Sequence, residues 1–191
     1  MSGPDDLLEV WFGGEPDLSR ESWFRVDPAF DASLRARFGA EADTAARGAR
    51  DGWAETPRGA LALCLLLDQV PRNIHRGRSA AFASDPHARE IARIAVLHAR
   101  HDLRLTTVER VFLYLPFEHS EDIADQNLSV ALFEGMRDDP RHARPGGTID
   151  YAWRHRAVIG RFGRFPHRNA IVGRSSSAAE RTYLATPGSG F

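Results

Sequence analysis

Thr56-Pro57-Arg58-Gly59-Ala60-Leu61-Ala62-Leu63-Cys64-Leu65-Leu66-Leu67-Asp68-Gln69 decides the fold. Thr56-Pro57 reads as a helix start, with a hydroxyl at the cap and proline at the first helical position, where its missing N–H costs nothing. From Ala60 to Leu67 every residue is apolar. A helix apolar on most sides needs cover on most sides, so this one is expected at the centre of the molecule. The run is far too short to span a bilayer. Pro71 disfavours helix at Val70, so the helix is expected to end at Gln69.

Outward from this segment the chain reads as helices joined by short loops. Leu7, Leu8, Trp11 and Phe12 make a short amphipathic helix that stops at Gly13-Gly14. Asp27-Pro28 starts the next, with Phe30, Leu34, Phe38 and Ala42 on one face, and an Ala-rich stretch from Glu41 to Trp53 extends it or forms another. Ser84-Asp85-Pro86 opens a helix with Ile91, Ile94, Ala95 and His98 on one face. Thr106 and Glu109 fit a capping box ahead of Val108, Val111, Phe112 and Leu115, a stripe expected to stop at Pro116. Ser120-Glu121-Asp122 begins a helix to about Met136. Asp138 to Gly147 reads as a polar loop. Ile149, Tyr151, Ala152, His155, Val158, Ile159 and Phe162 form a helical stripe broken by Gly163. A short helix from about Ser177 to Leu184 precedes the tail. No alternating β-branched run with hairpin turns occurs, so the reading is all-α, built of helical hairpins.

The 191 residues, 42% of them hydrophobic, suit one domain over 1–191 with a real core. Twenty-five basic and 26 acidic residues leave a net charge of −1, which argues against a nucleic-acid groove built on bulk positive charge. The single cysteine, Cys64, excludes an internal disulfide and a CxxC site. Met1 to Val10 is acidic and carries no signal-peptide pattern, so the expected location is the cytoplasm. Every basic residue among the 25 is arginine. Schiff-base and P-loop lysines are thereby excluded, and an anion must be held by guanidinium forks, backbone N–H groups or imidazolium.

Three segments carry chemistry. In Asp68-Gln69-Val70-Pro71-Arg72-Asn73-Ile74-His75-Arg76-Gly77, Asp68 stands near a helix C-terminus, where the dipole disfavours a carboxylate. Arg72 or Arg76 can reach back to it, either as a buried ion pair or as an oriented arginine facing a ligand. In Leu115-Pro116-Phe117-Glu118-His119-Ser120-Glu121-Asp122, with Gln126 a turn further on, His119 falls in a helix–helix corner beside acidic groups. Such neighbours raise an imidazole's proton affinity and suit acid–base work; the alternative is that His119 and Ser120 only cap the corner. Arg161-Phe162-Gly163-Arg164-Phe165-Pro166-His167-Arg168-Asn169, followed by Gly173-Arg174, crowds guanidiniums that need counter-charges: Asp68, Glu121 and Asp122, or a bound phosphate or carboxylate. His155, four residues after Tyr151, is either a core histidine or a second ring in the same cavity. No HExxH or paired ExxH spacing supports a metal site, and no cofactor motif is present.

With these segments in order, the chain resembles the DUF924 family of bacterial proteins of unknown function. The likeness runs from Trp11-Phe12-Gly13 and Trp23-Phe24 through Asp68 to Asn73, Arg76-Gly77, Phe82, Asp85, Leu115 to Glu121, Gln126, Tyr151-Ala152, His155 and Arg161 to Asn169. The resemblance implies a tetratricopeptide-like arrangement of the helical hairpins and supplies no reaction.

Two functions compete, with nucleic-acid binding through the arginine segment a minor third. In the first, Asp68, Arg72, Asn73, Arg76, Gln126, Arg161, Arg164, His167 and Arg168 gather around an anionic small molecule, phosphate or carboxylate, while His119, Glu121 and His155 move a proton. This expects a concave pocket with two or more arginines whose guanidinium edges are not already consumed by carboxylates. In the second, the chain is a helical adaptor for a protein partner, and Arg161 and Arg168 are fully paired internally.

Overall fold

The computed structural model describes residues 3–190; Met1, Ser2 and Phe191 of the expected 1–191 domain lie outside them. It is all-helical, with no strand among the described residues. In chain order the helices are α1 (Pro4–Phe12), α2 (Pro28–Ala46), α3 (Pro57–Cys64), α4 (Val70–Ile74), α5 (Asp85–Arg93), α6 (Thr107–Glu118), α7 (Ile123–Glu134), α8 (Pro140–Ala143), α9 (Thr148–Phe162) and α10 (Ala178–Leu184). Neighbours in sequence pack on one another: α5 on α6, α6 on α7, and α7 on α9 beyond the single turn of α8. The Ala-rich stretch extends α2 as far as Ala46, after which a 3₁₀ turn spans Asp51–Glu55.

Local chemistry sets the boundaries. The Asp27 carboxylate accepts from the N–H groups of Ala29 and Phe30 at the start of α2. Thr106 and Glu109 close a reciprocal capping box on α6, and Ser177 and Glu180 close another on α10. Gly13 and Gly163 end α1 and α9 with φ of +60° and +68°, a left-handed conformation that a side chain would strain.

The apolar run is central, as expected: Ala60 through Leu67 are all buried, and α3 contacts α1, α5 and α6. Each fully buried leucine there contributes about 2 kcal/mol of transfer free energy. Around α1 the aromatic rings of Trp11, Phe12, Trp23 and Phe112 interlock, and the Trp23 indole N–H donates to the Trp11 carbonyl at 2.9 Å. One core joins residues from Leu7 to Ala152, with a smaller cluster of Val158, Ile159 and Phe165 beneath the C-terminal segment.

Four expectations are corrected. Pro71 does not end the central helix. A π-turn over Leu65–Gln69 follows α3, and α4 continues through Pro71 to Ile74. The Leu67 carbonyl, four residues before Pro71 and deprived of its N–H donor, accepts instead from the Ser84 hydroxyl at 2.6 Å. Pro116 likewise lies inside α6, which reaches Glu118. On α5 a second π-turn, Ile94–His98, inserts a residue into the periodicity, so Ile94 and His98 face solvent while Ala92, Ala95 and Val96 are buried. Tyr151 is also exposed, its ring covered by the Arg154 guanidinium 5.2 Å away.

Candidate functional site

The π-turn is where the site begins. It carries Asp68 on the wall of the core, 1% exposed, and turns its carboxylate toward the end of α6. His119, the C-cap of α6, meets it with Nδ1 2.7 Å from Asp68 Oδ1. Arg72 lies one turn beyond Asp68, with Nη1 3.0 Å from the same oxygen. Gln69 Nε2 donates to the other, Oδ2. Arg72 also forks onto Asp85, Nη1 to Oδ1 at 2.7 Å and Nη2 to Oδ2 at 2.9 Å, which joins α4 to the first turn of α5. Asp85 faces this network because Ser84, one residue earlier, is tied to Leu67.

Electrostatics fix the protonation states. Burial opposes charge on Asp68, but Arg72, His119 and Gln69 outweigh it and hold the carboxyl well below its ordinary range. An ionised carboxylate only accepts, so His119 Nδ1 carries the proton and Nε2 holds the lone pair. The imidazole pKa is lowered: burial and the Arg72 charge outweigh Asp68. The expected gain in proton affinity is therefore reversed. His119 is a neutral base whose Nε2 has no partner among the described residues, and it lines an open cleft of about 400 Å³.

Two helix starts, Asp85-Pro86 of α5 and Ser120 to Asp122 ahead of α7, line that cleft. Arg168, from a single 3₁₀ turn after α9, lines it as well. Its guanidinium lies over the rings of Phe165, 4.4 Å from the centroid, and Phe82, 4.7 Å away. Nη1 donates to the His119 carbonyl at 3.0 Å and stands 3.6 Å from Asp85 Oδ2. The remaining edge, Nε with Nη2, has no acceptor among the described residues, and Nε is buried without one. Burial, then the nearby Arg72 charge, pulls this guanidinium down to about 10, so it is still a cation at neutral pH.

The other candidate residues divide. Glu121 lines the cleft, but Arg174 grips it through two bonds of 2.6 and 2.8 Å, and the Phe165 N–H donates to it at 2.8 Å. That pairing keeps its carboxyl below the ordinary range after burial is overcome. Asn73 and Arg76 instead join Asp31 of α2, at 2.8 and 2.6 Å. Arg164 forks onto Glu180 of α10 at 2.6 and 2.8 Å. Arg161 is exposed and lies over the Phe162 ring. None of these four lines the cleft. Gln126 is fully buried and its amide donates to the Glu118 and Ser120 carbonyls at 2.6 and 2.7 Å, closing the α6–α7 corner.

His155 and His167 lie beneath the site rather than on its wall. The His155 ring is 6.4 Å from that of His119 and 5.5 Å from Phe165, and its Nδ1 donates to the Tyr151 carbonyl at 2.9 Å. Glu118 Oε1 stands 3.3 Å from the same nitrogen. Burial drives Glu118 up to about 8 and His155 down to about 3, so the pair is neutral at pH 7. His167 packs against Phe165, and burial with the Arg168 charge lowers it to about 4. Among the described residues no group of three or more His, Cys, Asp or Glu is placed to hold a metal ion.

The sequence reading took Asp85 as a helix start and a residue of the family resemblance, and did not weigh it, Phe82, Arg89 or Glu118 as site residues. Asp85 is 13 positions from Arg72, and no local spacing announces that pair.

The family described as "Bacterial protein of unknown function (DUF924)" matches residues 7–188, and the chain belongs to it. A solved protein of unknown function from Agrobacterium tumefaciens is 41% identical over 95% of this chain and 96% of its own, with a TM-score of 0.84. No curated protein matches.

Proposed function

We propose that this DUF924 protein binds the anionic group of a small molecule in the Arg168 cleft, with His119 as the group that takes up a proton there. One observation carries the reading: the Nε–Nη2 edge of a stacked, charged, nine-tenths-buried guanidinium has no acceptor, beside a neutral imidazole whose free nitrogen holds a lone pair. A buried donor without an acceptor costs about 1–3 kcal/mol, and more when charged. A bound anion relieves that cost. Asp68 orients the His119 ring and would stabilise its protonated form, the division of labour that general base catalysis uses. Glu121, committed to Arg174, is a wall of the site rather than a proton carrier in this reading.

The adaptor reading needs Arg168 fully paired within the protein, and the open fork speaks for a ligand instead. The proposed setting is a cytoplasmic protein of one domain. No helix among the described residues is long and apolar enough to cross a membrane.

Thermal melting against a panel of phosphorylated and carboxylate metabolites tests the proposal. A ligand at about 100 times its Kd raises the melting temperature of a chain this size by roughly 5–11 °C. A rise for one anion class, absent in Arg168→Gln, is expected. A flat response across both classes would sink the reading.

A further inference from the structure

We infer that the missing partner of Arg168 is the carboxylate of a monoanionic ligand with an apolar body, an inference that rests on the anion-site reading above. The chain itself shows what that guanidinium edge takes. Arg76 offers Nε and Nη2 to the two oxygens of Asp31, Arg137 offers the same edge to Glu134, and Arg164 offers it to Glu180. In each case two roughly parallel N–H bonds meet one planar carboxylate. Arg168 holds the same edge open, with Nη1 already spent on the His119 carbonyl and Asp85.

Guanidinium forks accept phosphate as well as carboxylate, so charge decides between them. Three carboxylates, Asp85, Glu121 and Asp122, line the cleft. Of its other cations, Arg174 is committed to Glu121 by two bonds, and Arg89 pairs through Nε with Asp125 at 3.2 Å. Arg72, behind the wall, is taken by Asp85 and Asp68. A phosphate monoester is largely dianionic near pH 7.5. It would bring two charges to one open fork beside Asp122, since Asp85 and Glu121 are already paired with Arg72 and Arg174. A monocarboxylate brings one, matched by one cation. Phe82, Pro86 and Val172 give the same cleft an apolar side, and Val172 is 38% exposed there. A ligand with a hydrocarbon body beside its carboxylate covers that side.

The experiment is a calorimetric titration of the full chain at pH 7.5 with phenylacetate, acetate, phenyl phosphate and inorganic phosphate. Phenylacetate is expected to bind about tenfold or more tighter than both phenyl phosphate and acetate. In Arg168→Lys, which keeps a charge but loses the fork, phenylacetate is expected to weaken by about tenfold or more. Phenyl phosphate binding as tightly as phenylacetate would overturn the carboxylate inference and leave the anion site standing. Phenylacetate affinity unchanged in Arg168→Lys would overturn the assignment to the fork. Binding by none of the four would remove both the inference and the anion site. The comparison of the four probes is made on the wild-type chain, so it stands even if the variant does not fold.

Discussion

His119 Nδ1 lies 2.7 Å from Asp68 Oδ1, across 51 residues of sequence, at the point where a π-turn in the central helix meets the C-cap of α6. The π-turn and Pro71 leave helix carbonyls to be satisfied from outside the backbone ladder. Ser84 takes that of Leu67, and Arg72 takes that of Asp68 at 2.8 Å. The irregular turn thus draws both the start of α5 and the guanidinium of Arg72 to one place.

Asp68→Asn removes a buried charge that serves Arg72 and His119 together. Arg72 retains Asp85, so the loss is expected near the lower end of that for breaking a buried pair, about 3 kcal/mol, read from urea unfolding. Asp68 is the first group that raises the His119 pKa. NMR titration of the ring is expected to show that pKa falling further in the variant; a rise would contradict the pairing.

Stability should fall on both sides of a plateau, for opposite reasons. Native Glu118 keeps its proton up to about 8, whereas the unfolded carboxyl loses it near 4.5. Between those values the native state binds more protons, and stability declines as pH rises. Native His155 stays neutral down to about 3, whereas the unfolded ring protonates near 6.5. In that window stability declines as pH falls. Glu118→Gln is expected to remove the alkaline decline, at least about 1 kcal/mol between pH 5 and 8, and to leave the acid decline in place. Urea midpoints across this range decide it.

Gln126→Leu keeps the volume and deletes the amide that serves the Glu118 and Ser120 carbonyls. Two buried acceptors lose their donor at a site 0% exposed, so a loss of about 2–4 kcal/mol is expected. Arg168 would still reach the His119 carbonyl, and ligand affinity measured on the folded fraction should hold. A variant as stable as wild type would show that the corner does not depend on the amide.

Arg164→Ala separates the C-terminal clasp from the cleft. Arg164 holds Glu180 and the Ser175 carbonyl and does not line the cleft. The variant is expected to melt earlier and to lose protection of α10 amides in hydrogen exchange. Ligand affinity at Arg168 should stay within about twofold. Loss of binding with melting unchanged would place Arg164 in the site.

The sequence by itself determined the helices, because their ends are local events. Asp27, Thr106 and Ser177 reach backbone N–H groups two or three residues away, and the apolar run from Ala60 to Leu67 has no stable place but the centre. It also marked Asp68, Arg72, His119 and Arg168 as polar residues in excess of packing needs. Where it failed locally, at Pro71 and at Ile94, a π-turn had shifted the register, and the donor that makes the Pro71 turn tolerable lies 17 residues from its acceptor. Only the tertiary structure decided which arginine takes which carboxylate. A chain with 25 basic and 26 acidic residues offers many pairings of similar local cost. Packing chose Asp31 for Arg76, Asp85 for Arg72, Glu121 for Arg174 and Glu180 for Arg164, by bringing distant segments within hydrogen-bond reach. Arg168 is left open by the same geometry: held over the Phe82 and Phe165 rings, it has no carboxylate to meet its Nε–Nη2 edge among the described residues.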